Sequence, residues 1–277
     1  SLVARGLVPA QERGDDGMEL MGELIHGDFA EVAYLLPGID LAFLDPPFNA
    51  GKVYGSGQYN DRQTPERYRA WLERQLSSLV PLLNPGATLW LMNDTRWIGH
   101  CQVLLDGLGL TFLNMVAWLY TNPTPAKKRY PKSWRPILVY CNGKEPRVWD
   151  SAALPMERPT LYFNPERRER GRPFVHDVWA DVPKLVGGFL AQPELQRKDN
   201  GQFAHITQMP LMLAERAILT ATGPGDMVLD PFAGSGTVLA AAQKHGRRWI
   251  GVEQEEEYVA LIRRRLGLVE KAEATFR

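Results

Sequence analysis

The sequence predicts an α/β fold with a mostly parallel sheet and helices on both faces. Two observations predict it. Short apolar runs alternate with longer amphipathic ones along most of the chain, the rhythm of strand–helix–strand units. Two of the apolar runs also end in distinctive turns, Asp45-Pro46-Pro47-Phe48 and Asp230-Pro231-Phe232-Ala233-Gly234-Ser235-Gly236-Thr237. The chain has 277 residues, enough for one large domain with a substantial core and a smaller inserted element.

The expected strands are Leu24–His26, Leu41–Leu44, Thr88–Met92, Met115–Leu119, Ile137–Tyr140, Met227–Leu229 and Trp249–Val252. Helices are expected between them. One starts at Thr64-Pro65, where Thr64 can cap the first amides and Pro65 suits the first helical position. Others run from Trp97 to Leu108, Pro210 to Ala221, Thr237 to His245 and Glu255 to Leu266. The last opens with Glu255, Glu256 and Glu257 and closes with Arg263, Arg264 and Arg265, charges that suit both ends of the helix dipole. Two stretches break the rhythm. Asn49 to Gln63, rich in Gly, Tyr and Asn, is expected to be a mobile loop. Residues 146–202, rich in Pro and Arg, read as an insertion and a candidate target-recognition region. That leaves residues 20–145 and 203–277 as one catalytic domain, and 1–19 as an N-terminal tail without signal-peptide character.

Bulk properties exclude several classes. Lys and Arg number 32 and Asp and Glu 32, so net charge neither favours nor opposes nucleic acid. Cys101 and Cys141 have no metal-ligand or CxxC spacing, which argues against a disulfide framework or zinc site and for a reducing cytoplasm. No apolar run approaches the roughly 20 residues that span a bilayer.

Chemistry concentrates in the two turns. Asp45 follows the strand Leu41–Leu44 at its carboxyl end, where open α/β sheets place their sites. An aromatic amine is a poor nucleophile because its lone pair is delocalised into the ring. A carboxylate (Asp45) and a carbonyl (Pro46) that both accept hydrogen bonds from the amine favour a tetrahedral nitrogen with its lone pair aimed at an electrophile. Pro46 and Pro47 fix the turn and remove competing N–H donors, and Phe48 offers a face for an extruded base. The bland reading is a strand-ending Asp-Pro turn with a buried Phe. In the second turn the glycines permit close backbone approach to a ligand. A dinucleotide fingerprint would need a third glycine where Leu239 stands, so an adenosyl cofactor suits it better than a pyrophosphate. Glu253 ends the next strand about 20 residues on, the spacing of an acid that grips ribose hydroxyls.

With these motifs in this order, the sequence resembles the amino-methylating DNA methyltransferases of the β order, in which the catalytic tetrapeptide precedes the cofactor glycine turn. Gly27-Asp28 resembles that family's early Gly-Asp element, and His176-Asp177-Val178-Trp179 a segment found in relatives. His205-Ile206-Thr207-Gln208-Met209-Pro210 resembles its His-Pro-Thr-Gln-Lys-Pro element, departing at Ile206 and Met209, so that no lysine stands there. The resemblance implies a seven-stranded methyltransferase sheet with an antiparallel edge hairpin and S-adenosylmethionine as cofactor. It implies Asp45, Pro46, Pro47 and Phe48 as the catalytic set. Asp28, His205, Thr207, Gln208, Asp230, Phe232, Gly234, Ser235, Gly236, Thr237 and Glu253 would hold the cofactor. Double-stranded DNA is the implied partner, and the family allows for a cognate restriction endonuclease and a homodimer.

Two basic clusters are candidate DNA contacts: Lys127, Lys128, Arg129, Lys132 and Arg135, interleaved with Tyr130 and Trp134, and Arg167 and Arg168 in the insertion. A charge run is more often a solvated face. Asp rather than Ser at position 45 implies adenine as the base, with the cytosine amine as alternative. Methylation at the cytosine ring carbon needs a cysteine after proline, whereas Cys101 follows His100 and Cys141 follows Tyr140. An inactive DNA-binding relative would be expected to carry a damaged turn, and an RNA or protein-glutamine methyltransferase a different motif order.

Overall fold

The computed structural model describes residues 21–54, 61–120, 126–128, 130–153, 176–185, 194–197, 201 and 208–268. Its strands are β1 (Gly22–His26), β2 (Ile39–Leu44), β3 (Leu83–Met92), β4 (Thr111–Leu119), β5 (Trp134–Cys141), β6 (Val178–Trp179), β7 (Met227–Asp230) and β8 (Arg248–Glu253). Its α-helices are α1 (Phe29–Val32), α2 (Pro65–Leu79), α3 (Ile98–Gly107), α4 (Leu211–Ala221), α5 (Thr237–Lys244) and α6 (Glu256–Leu266).

The strands form one sheet in the order β1-β8-β7-β2-β3-β5-β4-β6. From β1 to β3 all neighbours are parallel, and β5 runs antiparallel to both β3 and β4. The sequence leads one to expect seven strands with the β4–β5 hairpin at the edge. The described sheet has an eighth, because Val178–Trp179 pairs in parallel with Ala117–Trp118 and covers that edge. The Asp177 carbonyl accepts from the Ala117 amide at 2.7 Å, and the Val182 carbonyl from the Trp118 indole at 2.8 Å. A two-residue strand carries no periodicity, so its residues signal a motif without signalling a strand.

Both faces of the sheet are buried, and single strands feed two cores by alternation. Leu41 and Phe43 of β2 join Trp90, Met92, Ile137 and Val139 on the side of α4, α5 and α6. Ala42 and Leu44 join Leu89, Leu91, Leu138 and Tyr140 on the side of α2 and α3. Truncating one such fully buried Leu costs about 2–5 kcal/mol.

Local signals explain the helices that frame the site. Thr64 accepts from the Arg67 amide and Pro65 fills the first helical position of α2. In α6 acids occupy the first turn and arginines the last, before Gly267 in the left-handed region at φ 67°. Arg265 does more than balance the dipole: it donates to the Ser235 carbonyl at 2.7 Å and to Thr237 Oγ1 at 3.0 Å, clamping the glycine turn to α6. The stretch Asn49–Gln63 departs from expectation at its described ends. Asn49 and Gln63 exchange hydrogen bonds at 2.9 and 2.7 Å, and buried Asp61 accepts from the Ala50 and Lys52 amides. That reciprocal pair holds Asn49 at φ 53°, a conformation asparagine tolerates better than most residues. Residues 55–60 lie outside the described set.

Candidate active site

The strand order brings the carboxyl ends of β1, β8, β7 and β2 side by side, and each ends in or near an acid. Asp28 follows β1, Glu253 ends β8, Asp230 ends β7 and Asp45 follows β2. Neighbouring strands lie about 4.8 Å apart, so the acids line a single cleft. The cleft encloses about 320 Å³. Asp45, Pro46, Pro47, Phe48, Asp28, Gln208, Asp230, Phe232, Gly234, Ser235, Thr237 and Glu253 all line it. Gly236 stands behind the wall at φ 72°, where a Cβ would come within 3.1 Å of Ile262. His205 and Thr207 lie outside the described residues.

The tetrapeptide turn is tied down at its last two carbonyls. The Tyr68 hydroxyl donates to the Pro47 carbonyl at 2.5 Å, and the Trp97 indole donates to Phe48 O at 3.0 Å. Among the described residues no group donates to the Pro46 carbonyl, so it and the Asp45 carboxylate are the acceptors the turn leaves for a ligand. Asp45 keeps some contact with the cleft, but burial raises its pKa from 3.8 to about 6, against the opposing pull of Arg135 and Lys52.

At the other end Glu253 organises the glycine turn. Its two carboxylate oxygens accept from the Gly234 amide at 2.6 Å and the Glu255 amide at 2.8 Å. Burial raises its pKa despite these bonds. Asp230 accepts from the Phe232 amide at 3.1 Å, and burial, then the charges of Asp45 and Glu253, hold its carboxyl far above the usual range. Asp28 caps α1 through the Ala30 amide at 3.0 Å and accepts from Gln75 at 3.4 Å. Gln208 bonds Glu194 and Gln196, fixing the segment before α4.

Several cleft residues escape sequence reasoning. Trp71 and Gln75 lie four apart on α2, a spacing that signals one face but not what that face meets. Trp71 packs on Phe232 at 5.6 Å and on Tyr68 at 5.7 Å. Lys52, Tyr54, Trp118, Lys184 and Tyr258 also reach the cleft, from segments without a motif.

The basic cluster expected to meet DNA is split. Lys127 and Lys128 are exposed. Lys132 is paired with Asp94 at 2.6 Å, beside Arg96 at 3.0 Å. Burial works to raise the Asp94 pKa, but these two cations hold it below the usual range. Arg135 turns into the cleft, its guanidinium carbon 4.5 Å from the Phe48 ring centroid. Arg129, Arg167 and Arg168 lie outside the described residues. Cys101 and Cys141 are buried and free, with burial pushing the Cys101 thiol up to about 12. Among the described residues no helix is long and apolar enough to cross a membrane.

A parallel sheet with one antiparallel strand, a glycine turn tied to an acid on the next strand, and an Asp-Pro-Pro-Phe turn beside it define an α/β group-transfer enzyme of the methyltransferase type. The chain belongs to the N6/N4 DNA methylase family, whose model matches residues 39–264. It is 29% identical over 249 residues to the DNA adenine methyltransferase YhdJ of Escherichia coli K12, covering 88% of this chain and 82% of that protein. It is 28% identical to the type II methyltransferase M.BamHI of Bacillus amyloliquefaciens, covering 84% of this chain but only 54% of the relative, about half its length. Among solved structures, the DNA modification methylase TTHA0409 of Thermus thermophilus in complex with S-adenosyl-L-methionine aligns with TM-score 0.59 at 26% identity, over 90% of this chain and 95% of that one. The cytosine-N4-specific PvuII methyltransferase aligns with TM-score 0.67 at 18% identity, over 91% and 88%, a likeness of fold.

Proposed function

We propose that this chain transfers a methyl group from S-adenosylmethionine to the exocyclic amino group of adenine in double-stranded DNA. The observation that carries the chemistry is the pair of acceptors, Asp45 and the Pro46 carbonyl, left open by a turn whose next two carbonyls are occupied. Asp45 accepts one amine hydrogen and Pro46 O the other, so the nitrogen lone pair points across the cleft. Asp45 can then hold the proton that the methylated nitrogen sheds; a pKa of about 6 leaves it ionised, yet basic enough for that role, at neutral pH.

The donor set fits the cofactor. S-adenosylmethionine supplies, when bound, a methyl group on a positively charged sulfur. Asp28, Asp230 and Glu253 line one end of the cleft, and the charges of Asp45 and Glu253 add to the burial that raises the Asp230 carboxyl, so a cation there relieves a repulsion that a pyrophosphate would worsen. That argues against the dinucleotide alternative. Each Glu253 oxygen is used by an amide on one lone pair and retains another for a ribose hydroxyl. The positive-φ Gly234, at 50°, lets backbone line the pocket without a side chain. Trp71 and Phe232 supply an aromatic wall for a flat ring. Exposed Lys127 and Lys128, close in sequence to Tyr130, are candidates to meet phosphates outside the cleft. Within the stretch 146–202, residues outside the sheet-bound Asp177–Trp179 are our candidate for target recognition.

Adenine follows from Asp45 in the first position of the turn, and the adenine enzyme at 29% identity supports it. Incubating the protein with isotope-labelled S-adenosylmethionine and plasmid DNA, then analysing digested nucleosides by mass spectrometry, tests this. N6-methyladenine is expected. N4-methylcytosine alone would overturn the base assignment, and label found only in RNA or protein would overturn the DNA reading. Cutting of the unmethylated plasmid, but not the product, by a companion endonuclease would identify a restriction partner.

A further inference from the structure

The cleft is electrically divided. Asp28, Asp230 and Glu253 line the end built from β1, β7 and β8, whereas Lys52 and Arg135 act on Asp45, with Lys184 near both cations in the same cleft. Arg135 is close enough to both lysines to disfavour their charged forms. Burial lowers the Lys52 ammonium below its usual range and Arg135 lowers it further; Lys184 is lowered by burial and then by Arg135. Asp45 and Asp61 offset part of this for Lys52, and an anion received between the cations would offset more.

Arg135 holds the decisive position. Its guanidinium carbon lies 4.5 Å from the Phe48 centroid, over a residue that is only 8% exposed. A base stacking on that face of Phe48 would have to take the place of the guanidinium. We propose that Arg135 guards the base site: in the DNA-free enzyme it lies on Phe48, and it leaves that ring for a phosphodiester of the target strand, which it holds with Lys52 and Lys184. The proposal rests on the reading of this cleft as a DNA-base methylation site. A cation–π contact can be given up when a phosphate offers charge-assisted hydrogen bonds. A free nucleoside carries no phosphate and offers no such exchange. The guard therefore selects DNA over free nucleosides, a selection that Asp45 and Phe48 alone could not make.

Two variants of the full chain test this, Arg135→Ala and Arg135→Lys, with S-adenosylmethionine affinity by calorimetry as the check on folding. DNA binding is measured on plasmid fragments from about 50 to 200 mM salt. Losing one phosphate contact flattens the slope of log affinity against log salt by roughly 0.9, so wild type should lose about 3- to 4-fold more affinity across that range than Arg135→Ala. Arg135→Lys should keep the wild-type slope. Methyl incorporation into a mixture of deoxyadenosine and deoxycytidine is then compared with incorporation into DNA. The nucleoside-to-DNA ratio should rise at least about 10-fold in Arg135→Ala, whereas a residue that only supports the fold would lower both. An unchanged salt slope, or no rise in the ratio, overturns the proposal. Wild-type protein that methylates no DNA would instead refute the function proposed above, while the salt slope would still read the phosphate contact.

Discussion

Asp45→Asn should make the protein more stable and nearly inactive, and the gain in stability should depend on pH. Burial moves the Asp45 pKa from 3.8 to about 6 in the folded chain. A carboxyl raised in this way binds its proton more tightly folded than unfolded, so its ionisation opposes folding. The stabilising contribution of the protonated form is complete below about pH 4, is lost as pH rises to about 6, and stays lost above. At about 1.4 kcal/mol per pH unit the displacement amounts to roughly 3 kcal/mol. Asp45 faces the cleft, and water there reduces the expected gain to about 1–3 kcal/mol. Asparagine keeps the shape and discards the charge. Urea midpoints of wild type and variant should therefore coincide near pH 4 and separate by pH 7.5, the variant being the more resistant. Coincident midpoints at every pH would refute the burial argument. In the same preparations methyl transfer by the variant should fall on the order of 100-fold or more, since the negative charge that meets the developing positive charge on the amine is lost. The wild-type rate should fall tenfold per pH unit below about 6. A stabilised variant that turned over normally would refute the role given to Asp45.

Because burial raises both Asp230 and Glu253, S-adenosylmethionine should bind with release of protons and bind more tightly as pH rises through their raised range; calorimetry in buffers of different ionisation enthalpy would detect this, and proton-neutral binding would count against the site. Gly234→Val should weaken cofactor binding at least about 10-fold by filling the pocket and straining a backbone at φ 50°. Glu253→Ala should weaken it similarly and also leave the Gly234 and Glu255 amides without their acceptor, so the melting temperature should drop too. Phe48→Ala should reduce methylation of DNA more than Phe48→Trp, because tryptophan keeps a π face for the extruded base; equal losses would refute stacking. Asp181→Ala should destabilise by about 3 kcal/mol in urea titrations, since Arg216, 1% exposed, would lose both its bonds at 3.0 and 2.8 Å; Arg216→Met in the same chain should recover most of that loss.

The parts of the site legible in the sequence are those that local chemistry dictates. Asp45 and Glu253 can be found because each terminates an apolar run, and the turns after Asp45 and Asp230 use residues whose backbone limits are severe. Lys52, Trp71 and Lys184 cannot. Trp71 reads as one more apolar residue on α2, and only the meeting of α2 with the turn after β7 makes it a wall. Arg135 is legible as a charge but not as a cleft residue, because a strand's first residues alternate between faces and nothing local says which face is the cleft. Arg216 is hidden in a helix that otherwise reads as core, its partner Asp181 standing 35 residues away.

Chain order poses the larger difficulty, and the sheet resolves it. The Asp-Pro-Pro-Phe turn proposed to be catalytic follows β2 early in the sequence, and the glycine turn follows β7 late in it. Methyl transfer demands that they be neighbours, and Leu41 pairs with Val228 and Ala42 with Leu229 in parallel register. Parallel pairing aligns strand ends, so two turns that each follow a carboxyl end must open on the same side of the sheet. One strand spacing, a few ångströms, then separates the Asp45 turn from the glycine turn, within reach of the reacting pair that the proposed methyl transfer requires. The connections between these strands can be cut and rejoined elsewhere without changing that geometry. What the chemistry requires is the adjacency of β2 and β7, whichever of them the chain makes first.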